Sequence, residues 1–129
     1  MTPLTPTELA QGWKAWSEAK WQHELLDLAC NKLGWTYFHP YRSYKSPTGF
    51  PDLVLCKRRV IFAELKTYAK ASKPTESQIE WLDRLRDAGA EVYLWRPQHL
   101  DEIARILTAR DTPAPFRPLR DDTGETRWT

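Results

Sequence analysis

GFPDLVLCKRRVIFAELK, residues 49–66, is the stretch of sequence that decides the fold. Two apolar segments, at about 51–56 and 60–66, are separated by three basic residues at 57–59. Apolar, β-branched runs on either side of a short polar turn are typical of a β-hairpin. We therefore expect two antiparallel neighbouring strands.

Charged residues interrupt this apolar hairpin at one end. Alternate residues of a strand share a face, so Glu64 and Lys66 point the same way, and Asp52 on the neighbouring strand can reach the same side. Two carboxylates this close repel each other unless a cation lies between them, and Mg²⁺ or Mn²⁺ suits oxygen ligands. The backbone carbonyl of Leu65 can add a further ligand.

Such a cation would bind a phosphodiester oxygen and make a nearby water more acidic. Lys66 would orient that water or stabilise charge building on the phosphorane oxygens. The pattern predicts a metal-dependent nuclease. The alternative is an ordinary salt-bridged hairpin, with Glu64 paired to Lys66 or to Arg59, and such surface pairs contribute little.

The rest of the chain alternates helical and strand patterns. The predicted helices cover 17–33, 75–88 and 100–109, and the further strands cover 35–39 and 91–95. The strand at 91–95 follows strand 60–66 after a helix, so we expect the two to be parallel. The sequence predicts an α/β fold, a small mixed β-sheet flanked by helices, with the core order αβββαβ.

Three segments are expected from these patterns. Residues 1–16 form an N-terminal helical extension, 17–110 form the domain, and 111–129 form a proline-rich polar tail. Within the domain, Glu18 and Gln22 share the inward stripe of the first long helix with Leu25, Ala29 and Leu33. Two polar residues at one end of a buried stripe indicate a site, although a helix end that nears solvent would show the same pattern. Gln78 likewise lies on the inward face of helix 75–88.

Basic residues concentrate between Tyr41 and Arg59, although the net charge of the chain is only +2. A local basic run beside carboxylates is what a phosphate-backbone binder needs, while the alternative is a solvated loop and turn. A lone histidine after a strand is more often structural than functional. The candidate DNA contacts are Arg42, Tyr44, Lys45, Arg58, Arg59 and His39.

The composition of the 129 residues fits one globular domain. Cys30 and Cys56 fall in apolar runs, so we expect buried free thiols. We see no signal peptide and no apolar run of membrane length, and we expect a cytoplasmic protein. The three histidines are far apart and there is no CxxC pair, which argues against zinc.

From about Ser17 to Leu107, the chain resembles the PD-(D/E)xK nuclease superfamily and, within it, the virus-type replication–repair nuclease (VRR-NUC) domain. The motifs that carry the resemblance are Glu18 with Gln22, Gly34-Trp35, Phe38-His39-Pro40, Gly49-Phe50-Pro51-Asp52, Glu64-Leu65-Lys66, Gln78 with Trp81-Leu82, Ala88-Gly89 and Trp95-Arg96-Pro97.

The resemblance implies a restriction-endonuclease-like core with Asp52 and Glu64 as metal ligands and Lys66 as the catalytic lysine. It implies that Glu18 completes the site, directly or through water, and that Gln78 orients Lys66 or a phosphate. The implied activity is that of a Mg²⁺- or Mn²⁺-dependent DNA endonuclease of phage replication or repair. It would act on branched DNA as Holliday-junction resolvases do, and two symmetric cuts require a homodimer.

Two other functions stay open at this point. A non-catalytic nucleic-acid-binding accessory domain would show no metal-dependent nicking and would be indifferent to Lys66→Ala. A sequence-specific restriction-type endonuclease would need a recognition element, for which the chain has little spare length.

Overall fold

A computed structural model describes residues 12–40, 46–69, 72–111 and 128. The helices are α1 (Glu18–Leu26), α2 (Glu76–Asp87) and α3 (Leu100–Thr108), and the strands are β1 (Thr36–Phe38), β2 (Leu53–Cys56), β3 (Val60–Leu65) and β4 (Glu91–Trp95). Helix α1 continues as a π-helix, Asp27–Lys32, and short 3₁₀ turns occupy Trp13–Ala15 and Pro97–His99. The order predicted from Ser17 onward is confirmed. The helix expected before Gly12 lies outside the described residues.

The four strands form one mixed sheet in the order β1-β2-β3-β4. Strands β1, β2 and β3 are antiparallel neighbours, and β3 pairs with β4 in parallel. The predicted hairpin is therefore confirmed, as is the parallel return through α2. The β2–β3 register pairs Leu53 with Ala63 and Cys56 with Val60, which leaves Asp52 and Glu64 to meet one step beyond the ladder.

Helices cover both faces of the sheet, so the predicted α/β fold with a small mixed sheet is confirmed. The main core lies between the sheet and helices α1 and α3, and its fully buried members include Trp21, Leu25, Leu55, Ile61 and Ile103. A smaller core lies under α2, where buried Leu82, Val92 and Trp128 meet partly buried Phe62, Ile79 and Leu94. Alternation along β3 places Glu64 on this second face, with Phe62.

Helix α1 begins as predicted, because the Ser17 hydroxyl accepts a hydrogen bond from the Lys20 N–H at 3.1 Å. It ends near Gly34, whose positive φ of 79° supplies the left-handed stop. The last turns widen into a π-helix, which the sequence did not predict. Trp21 is fully buried, whereas Glu18 at the first helical position is exposed.

Helix α2 begins with the capping box predicted from the sequence. The Thr75 hydroxyl accepts from the Gln78 N–H at 3.2 Å, and the Gln78 side-chain oxygen accepts from the Thr75 N–H at 2.9 Å. This reciprocal pair satisfies two backbone donors. It also fixes the rotamer of Gln78, which matters for the site described below.

Two expectations about single residues need correction. Cys30 is half-buried and Cys56 is exposed, so the thiols are free but not both buried. Cys56 ends β2 on the face that α2 does not fully cover, so its apolar surroundings in the sequence did not imply burial.

Little of the expected tail belongs to the described part of the chain, and the domain boundaries at 16 and 110 stay predictions. Trp128 is buried, with 7% of its surface exposed, and its indole N–H donates to Asp83 Oδ1 at 2.8 Å. The guanidinium of Arg86 lies 4.7 Å from the centre of the Trp128 ring. Within the ranges that the structure describes, no helix is long and apolar enough to cross a membrane.

Candidate active site

Asp52 and Glu64 face each other across strands β2 and β3. The Asp52 N–H donates to Glu64 Oε2 at 3.2 Å, and Asp52 Oδ2 accepts from the Leu65 N–H at 3.0 Å. Each carboxylate is thus held by the backbone of the other's strand. This reciprocal arrangement follows from the β2–β3 register, which sets the two residues opposite each other.

Glu64 is the more deeply buried of the two acids, with 1% of its surface exposed. Its Oε1 accepts from the Gln78 side-chain N–H at 3.1 Å. Lys66 Nζ lies 3.7 Å from the same oxygen, and the Lys66 side chain is 11% exposed. The structure therefore brings Asp52, Glu64, Lys66 and Gln78 into one cluster. Whether they act in catalysis stays a prediction.

The capping box of α2 aims Gln78 at Glu64. Because the Gln78 side-chain oxygen is engaged by the Thr75 N–H, its amide nitrogen is the group left to donate to Glu64. The sequence identified Thr75 as a cap but not as the residue that fixes this amide. The signal was present, since a capping glutamine on an inward helix face has its side-chain oxygen already assigned.

The loop before Asp52 is seated on the first turn of α2. Gly49 has a φ of 98°, and a Cβ placed on it would lie 2.5 Å from the Ser77 carbonyl carbon and oxygen. Only glycine permits both the conformation and the close approach. Phe50 then packs edge-on against Phe62 and Trp81, at centroid distances of 6.0 and 5.1 Å. These contacts fix the position of Asp52 relative to α2.

The surroundings of Glu64 favour its neutral form. Burial, and next the neighbouring Asp52 carboxylate, raise the pKa of Glu64 to about 9, while the Lys66 ammonium acts in the opposite direction. At neutral pH and without a cation, Glu64 therefore holds a proton. A positive charge placed between the two carboxyl groups would displace that proton and relieve the repulsion.

The donors at this site suit a hard cation that keeps part of its water shell. Within the described ranges, no group of three or more His, Cys, Asp or Glu side chains is arranged to hold a metal ion. Two carboxylates remain, Asp52 and Glu64, with the Leu65 peptide between Glu64 and Lys66. Mg²⁺ is bound in proteins by one or two carboxylates plus waters, so this donor set fits it.

Glu18 does not join the two carboxylates in such a group. It is exposed at the first position of α1, because the inward stripe of the helix runs past the edge of the core at that end. His39 does approach the site: its Nδ1 lies 2.7 Å from the Asp52 carbonyl oxygen. A carbonyl only accepts, so Nδ1 carries the proton and donates. His39 thereby supports the Asp52 backbone.

Of the candidate DNA contacts, Arg42, Tyr44 and Lys45 lie outside the described residues. Arg58 is exposed on the β2–β3 turn. Arg59 differs from the expectation for a DNA contact, since its side chain is only 8% exposed and pairs with Glu91 at 2.9 Å. The same guanidinium donates to the carbonyls of Ala109 and Ile106 at 2.6 and 2.9 Å. This placement favours a structural role, and DNA binding by Arg59 stays a prediction.

No protein-family model and no curated protein sequence matches the chain. Among solved structures, a "VRR_NUC domain" is similar over 73% of this chain and 97% of that one, with a TM-score of 0.57 and 23% identity. The chain has the VRR_NUC fold. A second structure, a "VRR_NUC domain protein", agrees over 71% of this chain and 85% of the other, with a TM-score of 0.56 and 16% identity.

The resemblance to VRR_NUC domains expected from the sequence is thus confirmed for the fold. A weaker likeness, with a TM-score of 0.45 and 24% identity over 60% of this chain and 66% of the other, is to Hjc, a Holliday junction resolvase from Archaeoglobus fulgidus. Identities this low speak for the fold alone. The chemistry of this VRR_NUC-like chain has to be argued from its own residues.

Proposed function

We propose that this protein is a nuclease that hydrolyses phosphodiester bonds of DNA with the help of Mg²⁺ or Mn²⁺. The observation that carries the proposal is the pair of facing carboxylates, Asp52 and Glu64, with Lys66 beside them. Placing two carboxyl groups together in a buried position is unfavourable for folding, because ionisation of both is opposed by burial and by their mutual repulsion. Clusters of this kind are found where function requires them.

Asp52 and Glu64 would hold the cation, and the Leu65 carbonyl is a further donor of the same chemical type. The bound cation supplies Lewis-acid activation of a phosphate oxygen and of a water molecule. Gln78 keeps the Glu64 carboxylate turned toward Asp52, because its own amide is held by Thr75. The backbone N–H groups of Asp52 and Leu65 hold the two carboxylates in place.

We propose that Lys66 is the catalytic lysine of this site. Its ammonium group lies 3.7 Å from Glu64 Oε1 and is mostly shielded from solvent. From this position it can hold an attacking water or stabilise the negative charge that develops on the phosphate oxygens. The low exposure strengthens either interaction, because water competes less for the charge.

The substrate we propose is branched DNA, cut by a homodimer in the manner of a junction resolvase. Support for a DNA substrate comes from the basic run that flanks Asp52 in sequence, of which exposed Arg58 belongs to the described residues. Phosphate neutralisation by such residues supplies most non-specific affinity. Two symmetric cuts need two sites, hence the inference of a two-fold dimer.

The test is cleavage of labelled four-way junction, flap and linear duplex DNA in Mg²⁺, Mn²⁺ or EDTA. The wild type is compared with Lys66→Met and with Lys32→Met, a matched control whose side chain is 67% exposed beside Asp27. We expect metal-dependent cleavage by the wild type and the control, and a loss of about 100-fold or more for Lys66→Met. Symmetric junction cuts would support the resolvase assignment.

Products from flap or linear DNA alone would support the nuclease activity and would rule out a four-way junction as the substrate. Tight binding without cleavage of any substrate in either metal would instead favour an accessory DNA-binding domain.

A further inference from the structure

Arg96 lies beside Lys66, one residue beyond the end of strand β4. The parallel register pairs Leu65 with Trp95, and the Lys66 N–H donates to the Trp95 carbonyl at 3.0 Å. Lys66 and Arg96 follow these two residues, and continuation of the same register would set their backbones side by side at the usual strand spacing of about 4.8 Å. Alternation places Arg96 on the face of Leu94, which is also the face of Glu64.

The Arg96 residue is buried, with 9% of its surface exposed. Its guanidinium donates to the carbonyl oxygen of Thr67 at 2.6 Å, directly after Lys66 in the chain. In the part of the chain that the structure describes, no carboxylate forms an ion pair with it. A guanidinium keeps its charge at neutral pH, so this charge is largely withdrawn from water and has no counter-charge among the described residues.

Two other buried arginines show how this protein otherwise treats such a charge. Arg59 pairs with Glu91 at 2.9 Å, and Arg86 pairs with Asp83 at 3.1 Å. Each therefore has a carboxylate of the folded chain beside it. Arg96 differs from both, and it is the one of the three that lies at the Lys66 end of the sheet.

The guanidinium of Arg96 is reachable from outside. Among the described residues, Nε of Arg86 is the one side-chain nitrogen or oxygen that is both buried from solvent and without a hydrogen-bond partner. No nitrogen of Arg96 is in that state. The Arg96 side-chain nitrogens that do not bind Thr67 therefore keep some contact with solvent. A planar fork of N–H donors with a net positive charge is well suited to a phosphate oxygen pair.

We propose that Arg96 binds a backbone phosphate of the DNA strand whose neighbouring phosphate lies at the Asp52–Glu64–Lys66 cluster. This inference rests on the proposed function and adds a phosphate-binding residue to it. The hydrogen bond to Thr67 ties the guanidinium to the peptide that follows Lys66. A phosphate held there is positioned relative to the lysine as well as bound.

The experiment measures DNA binding separately from cleavage. Affinity for a fluorescent duplex is recorded by anisotropy in EDTA over a series of KCl concentrations, for the wild type, Arg96→Gln and Arg84→Gln. Arg84 is the matched control, an arginine on α2 whose side chain is 74% exposed and paired with Glu80. Thermal melts of each variant report its folding.

For Arg96→Gln we expect affinity to fall about tenfold and the slope of log affinity against log salt to decrease by about one, because one phosphate contact is lost. Arg84→Gln should keep the wild-type slope. A glutamine variant that melts earlier but binds with the wild-type slope would overturn the proposal, since Arg96 would then only support Thr67.

If Arg96→Gln does not fold, Arg96→Lys is compared with the wild type on duplexes that carry one neutral methylphosphonate at each position in turn. Lysine cannot make the bidentate phosphate contact of arginine. At one position, the methylphosphonate should therefore weaken binding by Arg96→Lys less than it weakens binding by the wild type. Equal losses at every position would overturn the proposal.

These outcomes are distinct from failure of the proposed function. If the wild type cleaves DNA and Arg96→Gln binds it with the wild-type salt slope, the proposed function stands and only the phosphate contact of Arg96 is ruled out. If Arg96→Gln lowers the salt slope but the wild type cuts no DNA, the nuclease activity is ruled out and the phosphate contact of Arg96 stands. Absence of DNA affinity in the wild type removes both.

Discussion

The buried carboxyl group of Glu64 makes the stability of the metal-free protein depend on pH. Its pKa is raised from 4.5 to about 9, first by burial and then by Asp52. A group whose folded pKa lies above its unfolded value contributes stability that is complete below the unfolded pKa and is lost as pH rises toward the folded pKa. Between these two values the unfolded chain ionises Glu64 while the folded chain keeps it protonated, so rising pH favours unfolding.

The size of this effect follows from the two pKa values. From about pH 5 to about pH 7, the free energy of unfolding should fall by roughly 2 to 3 kcal/mol through Glu64. Glu64→Gln removes the titration at nearly constant volume. The stability of this variant relative to the wild type should therefore rise by the same amount over the same interval.

The assay is urea unfolding in EDTA, followed by tryptophan fluorescence at several pH values between about 5 and 8. Glu80→Gln serves as the control, because Glu80 is an exposed glutamate of α2, and its curve should track that of the wild type. A difference between Glu64→Gln and the wild type that stays constant across this range would refute the reasoning. It would mean that Glu64 ionises in the folded protein without a cation.

Three further predictions concern the metal, the second core and the loop before the site. Mg²⁺ should raise the melting temperature of the wild type and leave Asp52→Asn unchanged, since a ligand stabilises only the state that binds it; an equal shift in both would place the metal elsewhere. Arg59→Met should lower the urea-derived free energy of unfolding by about 3 kcal/mol, because it removes the guanidinium that pairs with buried Glu91, while the salt dependence of DNA binding stays the same. Gly49→Ala should cost about 2 kcal/mol or more in the same assay, because φ is positive there and the added Cβ meets Ser77; a neutral result would contradict the close approach.

Much of the fold was accessible from the sequence because the local signals agree with the tertiary structure. The alternation in 49–66 predicts the hairpin, and Thr75 with Gln78 predicts the start of α2. The opposition of Asp52 and Glu64 follows from the hairpin register, so their proximity could be predicted as well. These features depend on residues that are near in sequence or on adjacent strands.

The features that could not be predicted depend on distant partners or on the ends of elements. Arg59 looked like a surface cation in a basic turn, but its carboxylate partner Glu91 lies on another strand. Glu18 shared a helical face with buried residues, but that face leaves the core at the first turn of α1. Arg96 carried no signal of burial, because its environment is created by the parallel pairing of β3 with β4.

The central claim is that Asp52 and Glu64 hold a divalent cation through which the protein hydrolyses DNA. Its most direct test is the single-turnover rate of cleavage of a labelled four-way junction as a function of Mg²⁺ concentration, for the wild type and Asp52→Asn. The account predicts a rate that rises and saturates with Mg²⁺ in the wild type and no product from Asp52→Asn. Product from the wild type in EDTA, or equal rates from the two proteins, would contradict it.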